Sequence, residues 1–296
     1  MPLLGEVAAL TTAALWSLGS LLFARAARRV GGFTLNQARI TLAFLVLSAI
    51  LFLTRGSAWA PGAGPRNIAL LAGSGLIGLT LGDWAYFNSL VYVGPRLATL
   101  FMTLAPPMAA LLALPLLGES LGFAGVLGMA LTLAGIVWVV LERGSADVPR
   151  GHRLRGAMLG VLASLGQALG LVLSKLGMQG VVDPLPATAI RMGAAALGVW
   201  ALALATRRAG GVVGLARDPR ARLATLGATM VGPVCGVWLS LVAVSLTKAG
   251  IAATLMATTP VMVLPLLILI EKERVSRRAA LGAVLSVTGI AVLFLH

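Results

Sequence analysis

Apolar residues run along this chain in ten stretches, separated by short segments that hold most of the arginine and lysine. A helix rises 1.5 Å per residue, so about 20 apolar residues are needed to cross a bilayer. Ten windows meet that length. The first five are Leu4–Ala24, Phe33–Leu53, Asn67–Leu90, Pro95–Leu117 and Leu121–Leu141. The second five are Arg155–Ser174, Leu185–Thr206, Leu223–Ser245, Gly250–Ile270 and Ala279–Leu295. Runs such as Ile68–Leu81 and Leu97–Leu117 present no face suited to water. The pattern predicts an all-α integral membrane protein with ten transmembrane helices.

The second set of windows copies the first. Gly78, Gly82, Trp84, Met102, Pro106, Glu119, Gly128 and Gly135 recur 154 positions later as Gly232, Gly236, Trp238, Met256, Pro260, Glu273, Gly282 and Gly289. This divides the chain into five-helix repeats over residues 1–142 and 152–296, with the seam near 142–155. Five is odd, so the second copy must enter the bilayer upside down. Repeats of this length in so apolar a chain point to a transporter whose halves move around a shared central site.

Charge agrees with the inversion. Loops after odd-numbered spans carry seventeen basic residues, and the opposite side carries only Arg55, Arg66, Lys175 and Lys248. The positive-inside rule places the rich side in the cytoplasm and both termini outward. Equivalent loops also differ in the expected sense. The loop after span one is rich and its copy after span six is poor, while the loop after span four has no basic residue and its copy after span nine has four.

Composition narrows the function classes. Charged residues are 11% of 296, about half the share in a soluble domain. Two histidines, neither inside a span, and the single Cys235 exclude most metal sites, an internal disulfide and serine–histidine catalysis within the membrane. No cofactor or metal is implied. The net charge of +14 is scattered through short loops, which fits membrane orientation and not nucleic-acid binding. No Gly-x-x-x-x-Gly-Lys-Ser/Thr loop is present for nucleotide-driven pumping. Only Glu6 precedes or enters the first apolar run as a charge, so a signal-peptide n-region is missing and the first span is expected to stay.

Charged groups within spans are costly and each needs a reason. Asp83 is the sole acidic residue well inside a run, and its repeat counterpart is Val237. It is a candidate for proton or cation coupling, or a carboxylate paired with arginine for structure. Arg39 and Arg191 match between spans two and seven, about 9 Å deep. They fit either structural arginines snorkelling to the interface or ligands for a substrate carboxylate. Trp84 and Trp238 each follow a Gly-x-x-x-Gly and either face a cavity or fill space between helices. Trp16, Ser17 and Gln167 are polar or amphipathic interruptions of the matching spans one and six. Pro106 and Pro260 remove a backbone donor and bend their helices beside Thr99, Thr103, Thr254, Thr258 and Thr259. Those hydroxyls either meet a ligand or bond back to their own helix. The glycines of spans five and ten read as packing or dimer surfaces.

Taken in order, Trp16-Ser17, Ala38-Arg39, Ala98-Thr99-Leu100 through Pro106, Leu117-Gly118-Glu119 and Ala134-Gly135-Ile136 form a recognisable pattern. Ala252-Ala253-Thr254 through Pro260, Glu273 and Thr288-Gly289-Ile290 repeat it. Over nearly its whole length the chain resembles the EamA family of the drug/metabolite transporter superfamily. The resemblance implies a secondary transporter of the cytoplasmic (inner) membrane, often an exporter of amino acids or other small metabolites. It implies a cavity among spans one, three, four, six, eight and nine, lined by Trp16, Trp84, Asn88, Thr103, Gln167, Trp238, Ser240 and Thr258. Partners would be a small-molecule substrate and the bilayer, in a monomer or homodimer. Two departures stand out: Glu271-Lys272-Glu273-Arg274 replaces a Gly-Glu pair, and the charge count opposes cytoplasmic termini. A translocator of lipid or lipid-linked substrates on the same fold is the alternative, and an integral-membrane lipid-modifying enzyme lacks the histidines and paired carboxylates it would need.

Overall fold

The computed structural model describes residues 3–56, 62–142, 150–179, 181–266 and 276–294, and these contain helices and connecting turns but no strand. Among the described residues, ten helices are long and apolar enough to cross a membrane. In the first repeat they are α1 (Leu4–Phe23), α2 (Gly32–Arg55), α3 (Pro65–Gly94), α4 (Leu97–Leu117) and α5 (Phe123–Leu141). In the second they are α6 (Leu154–Met178), α7 (Pro184–Ala205), α8 (Pro219–Leu246), α9 (Ala249–Leu266) and α10 (Arg277–Phe294). A short helix, Gly211–Arg217, lies between α7 and α8. The seam residues 143–149 and the Glu271–Arg274 departure lie outside the described residues.

Local chemistry sets the ends. Gly94 has φ 78°, a conformation open to glycine, and Pro95 disfavours helix in the residue before it, so α3 stops and α4 begins with almost no loop. Asp218 opens α8 as its N-cap, accepting from the Arg220 and Ala221 backbone N–H groups at 3.0 and 3.1 Å. Arg29 meets the same carboxylate at 3.1 Å and ties α8 to the end of the first helix. The Ala221 N–H above all holds the Asp218 carboxyl below its ordinary range. The cap is therefore intact at neutral pH and is lost as pH falls through that lowered value.

Small residues bring the two repeats together. A Cβ on Gly170 of α6 would lie 3.0 Å from the Gly78 Cα of α3, and one on Gly166 3.1 Å from the Gly82 Cα. The equivalent pair is α1 on α8, where a Cβ on Gly19 would lie 3.7 Å from the Gly232 Cα. Lipid is as apolar as leucine, so such helices associate through close packing and not through hydrophobic burial. In both repeats the contacting stretch is a π-helix, Gly75–Gly82 in α3 and Met230–Gly236 in α8.

The α5–α10 pair makes the inversion explicit. A Cβ on Gly135 would sit 2.4 Å from the Ser286 nitrogen, and one on Gly289 would sit 2.3 Å from the Thr132 nitrogen. Rising numbers on α5 meet falling numbers on α10, so the helices run antiparallel. Exchange of the repeats turns one of these contacts into the other. Helices α2 with α7 and α4 with α9 also pack across the repeats. The outside of the bundle is apolar, with Leu53, Val91 and Phe123 more than four-fifths exposed, as a lipid-covered surface requires.

Gly128 and Gly135 of α5 and Gly282 and Gly289 of α10 therefore act as helix-packing residues within one chain. Gly135→Val should lower the thermal unfolding midpoint in detergent, with a cost of about 1–3 kcal/mol from overpacking. Gly122→Ala, where a Cβ meets nothing within 4 Å, should leave the midpoint unchanged.

Candidate functional site

A cavity of about 520 Å³ lies among α1, α3, α4, α6, α8 and α9, with Arg39 reaching in from α2 and Arg191 from α7. Its lining surrounds the middle of the bundle. It falls in the second halves of α1 and α3 and the first halves of α2 and α4, toward the basic loops. It also runs from the centres of α6 and α8 into their second halves and includes the first half of α7, away from those loops.

Asp83 is the first residue after the π-helical stretch of α3 and is 7% exposed. One carboxylate oxygen accepts from Arg39 Nη2, and the other accepts from Gln167 Nε2 at 3.1 Å. Gln167 also donates to the Gly78 carbonyl at 3.2 Å, inside the π-helix, where the widened turn disturbs the usual backbone ladder. Arg39 in turn donates through Nε to Asn36 Oδ1 at 2.7 Å, with its guanidinium 5.2 Å from the Phe23 ring centre. Cation–π attraction of this kind needs no water and suits a dry site. Asp83 and Arg39 are thus a coupled pair.

Arg191 differs from the snorkelling arginine that its depth suggests. It is 3% exposed, lines the cavity and lies in a groove on α3 made by two glycines. A Cβ on Gly78 would stand 3.1 Å from Arg191 Nη2, and one on Gly75 would stand 2.1 Å from the Arg191 carbonyl oxygen. Its Nε has no hydrogen-bond partner among the described residues.

Of the other sequence candidates, Trp16, Thr103, Gln167 and Ser240 line the cavity, as do Pro106 and Pro260. Thr103 and Ser240 give their hydroxyl protons to the Leu100 and Val237 carbonyls, at 2.7 Å each. Ser17, Trp84, Asn88, Trp238 and Thr258 lie outside the lining. Ser17 is fully buried and ties α1 to α9 through the Thr259 carbonyl at 3.0 Å. Thr258 donates to Leu255 within its own helix, and Asn88 donates to the Trp84 carbonyl. Trp84 and Trp238 are each 38% exposed. Each follows the inward residue of its helix by one position, a turn of about 100°. That rotation carries both indoles away from the cavity.

The prolines act as expected, with one addition. Helix α4 breaks into turns at Thr103–Leu104 and α9 at Ala257–Thr258, positions that match across the repeats. Proline two residues beyond each break has no N–H to restore the ladder. Sequence reasoning missed Phe23 and Phe87, which wall the cavity beside Arg39. It also missed the π-helices, whose only sequence signal is their glycine density.

The ends away from the basic loops are tied together by polar contacts that sequence spacing did not show. Lys175 pairs with Glu119 at 2.5 Å and also donates to the Thr247 carbonyl. The other Glu119 oxygen accepts from the Ala249 N–H at 2.7 Å, where the positive end of the α9 dipole favours a carboxylate. Lys248 donates to the Ser120 carbonyl, and Thr247 donates to Glu6 at 2.5 Å. Glu273, the repeat counterpart of Glu119, lies outside the described residues.

Comparison with known proteins follows the same two-part division. The model of the EamA-like transporter family matches residues 3–141 and again residues 154–295. No curated protein matches the chain in sequence. A crystal structure described only as that of a protein is 20% identical, with a TM-score of 0.77, and the match covers 100% of this chain and 98% of that one. That likeness is one of fold. A structure of the sodium–calcium exchanger NCX_Mj, soaked with Na⁺ and Sr²⁺, is also 20% identical over 98% of this chain and 96% of that one. Its TM-score of 0.19 is too low to indicate a shared fold.

If the Glu119–Lys175 pair ties this end, Glu119→Gln and Lys175→Met should be non-additive. A double-mutant cycle on thermal midpoints should give a coupling of about 0.5–3 kcal/mol. Strict additivity would show that the pair contributes nothing to closure.

Proposed function

The chain belongs to the EamA-like transporter family, and on that premise we propose that it is a secondary active transporter exporting small metabolites, such as amino acids or related compounds, with protons coupling through Asp83. The observation that carries this reading is a buried carboxylate in a cavity enclosed by two inverted repeats. A site placed between such repeats is exposed to one side or the other as they rock. Here the lining surrounds the middle of the bundle, and the Glu119–Lys175 pair links α4 to α6 at the ends away from the basic loops. On the positive-inside rule the basic loops are cytoplasmic and both termini face outward, and the reading takes the membrane to be the inner one.

Asp83 has the surroundings of a coupling group. It faces Arg39 from α2, Arg191 from α7, Gln167 from α6 and Tyr86 of its own helix. As a carboxylate it accepts from both Arg39 and Gln167. A proton on it replaces one accepting oxygen with a donor and weakens the Arg39 pairing. The link between α2 and α3 then depends on protonation, and substrate release to one side is exchanged for proton uptake from that same side.

The test uses the purified chain in liposomes with an imposed pH gradient. Solutes are chosen by thermal shift from amino acids, amines, nucleosides and vitamins. Asp83→Asn should abolish gradient-driven flux yet preserve substrate exchange without a gradient. Undiminished gradient-driven flux in that variant would rule out the proton role. Absence of flux of any shifted solute in the unaltered chain would rule out transport.

A further inference from the structure

The cavity has an unbalanced charge. Among the described residues three charged ones line it, Arg39, Arg191 and Asp83, and one of the three is acidic. Arg39 and Asp83 are paired, and the second Asp83 oxygen is taken by Gln167. Arg191 is left as a positive charge that is 3% exposed, with an unpartnered Nε. A guanidinium keeps its proton under ordinary conditions, and an isolated buried charge is costly. Gly75 lets the Arg191 backbone approach α3, and Gly78 makes room for the guanidinium, which a Cβ there would crowd at 3.1 Å. Arg191 shares the Asp83 carboxylate with Arg39 and has no hydrogen bond at Nε, so the pair of guanidiniums is positioned for a ligand's charge.

We infer that the cavity is an organic-anion site, in which Arg191 receives the carboxylate of a monoanionic substrate with an apolar body. The guanidinium fork matches the two oxygens of a carboxylate. One negative charge brings the site to neutrality, whereas a zwitterion brings none in net and a dicarboxylate brings one too many. The body of the substrate meets Phe23, Phe87, Met102, Met256, Pro106 and Pro260. The volume of 520 Å³ lies within the range of about 300–1,000 Å³ typical of small-molecule pockets. The inference rests on the transporter reading for the fate of the ligand, and on the cavity alone for its binding.

The experiment compares 3-phenylpropionate, 3-phenylpropionamide and phenylalanine, which share an aromatic body and differ in charge. Calorimetric titration of the purified full chain should show the acid binding at least about tenfold more tightly than the amide or the amino acid, the discrimination expected from a charge-assisted hydrogen bond. Arg191→Gln should remove that preference and leave amide binding within about twofold, and Arg191→Lys should restore part of it. Equal binding of acid and amide by the unaltered chain would overturn the inference, and this comparison holds even if the variants fail to fold. Acid preference that survives Arg191→Gln in a folded protein would also overturn it. Counterflow in liposomes separates the two proposals. Acid and amide moving equally well would refute the anion site and keep the transporter. Tight, Arg191-dependent acid binding with no counterflow of any of the three would keep the site and refute transport of these compounds.

Discussion

The close approach of α3 to α6 and α7 is the constraint on which the rest of the molecule depends. Gly75, Gly78, Gly82, Gly166 and Gly170 bring three backbones to a separation that no side chain would permit. Only at that distance does Gln167 reach both the Gly78 carbonyl and Asp83, and only there can Arg191 lie across α3. In water a carboxylate finds its own solvation. In the interior of a membrane protein the protein must supply it, and these contacts do so.

The same close packing recurs at α1 with α8, and its antiparallel counterpart joins α5 to α10. The scaffold is therefore symmetric under exchange of the repeats, while the chemistry is not. Asp83 is matched by Val237, and Gln167 packs beside Gly82 where Trp16 packs beside Gly236. The arginines, by contrast, are present in both. Symmetry supports two equivalent arrangements of the halves, and asymmetry confines the polar work to one wall of the cavity. Among the described lining residues the one carboxylate therefore stands on a single wall of the cavity.

Much of the architecture was legible because membrane packing restricts residue choice. A Gly-x-x-x-Gly repeated at a fixed offset marks close contact wherever it stands, and matched prolines mark matched breaks at 103–104 and 257–258. Asp83 stood out because a lone carboxylate in an apolar run is expensive. Its partner did not, since Arg39 lies 44 residues away on another helix and spacing carries no information about that distance. Trp84 and Trp238 drew notice by their identity, although helical rotation already separates them from the face of Asp83. Snorkelling was the natural reading of Arg191 from depth alone, and only the glycine groove reveals that it turns inward. The Glu119–Lys175 tie joins α4 to α6 across two connections and has no local signature at all.

The central claim is that the two repeats lie antiparallel across the membrane. It is tested most directly by placing single cysteines at the exposed Ser120 and Ser276 in a Cys235→Ser background and treating intact cells with a membrane-impermeant maleimide. One site should be labelled in intact cells and the other only after permeabilisation. Labelling of both from the same side would contradict the inverted arrangement and everything built upon it.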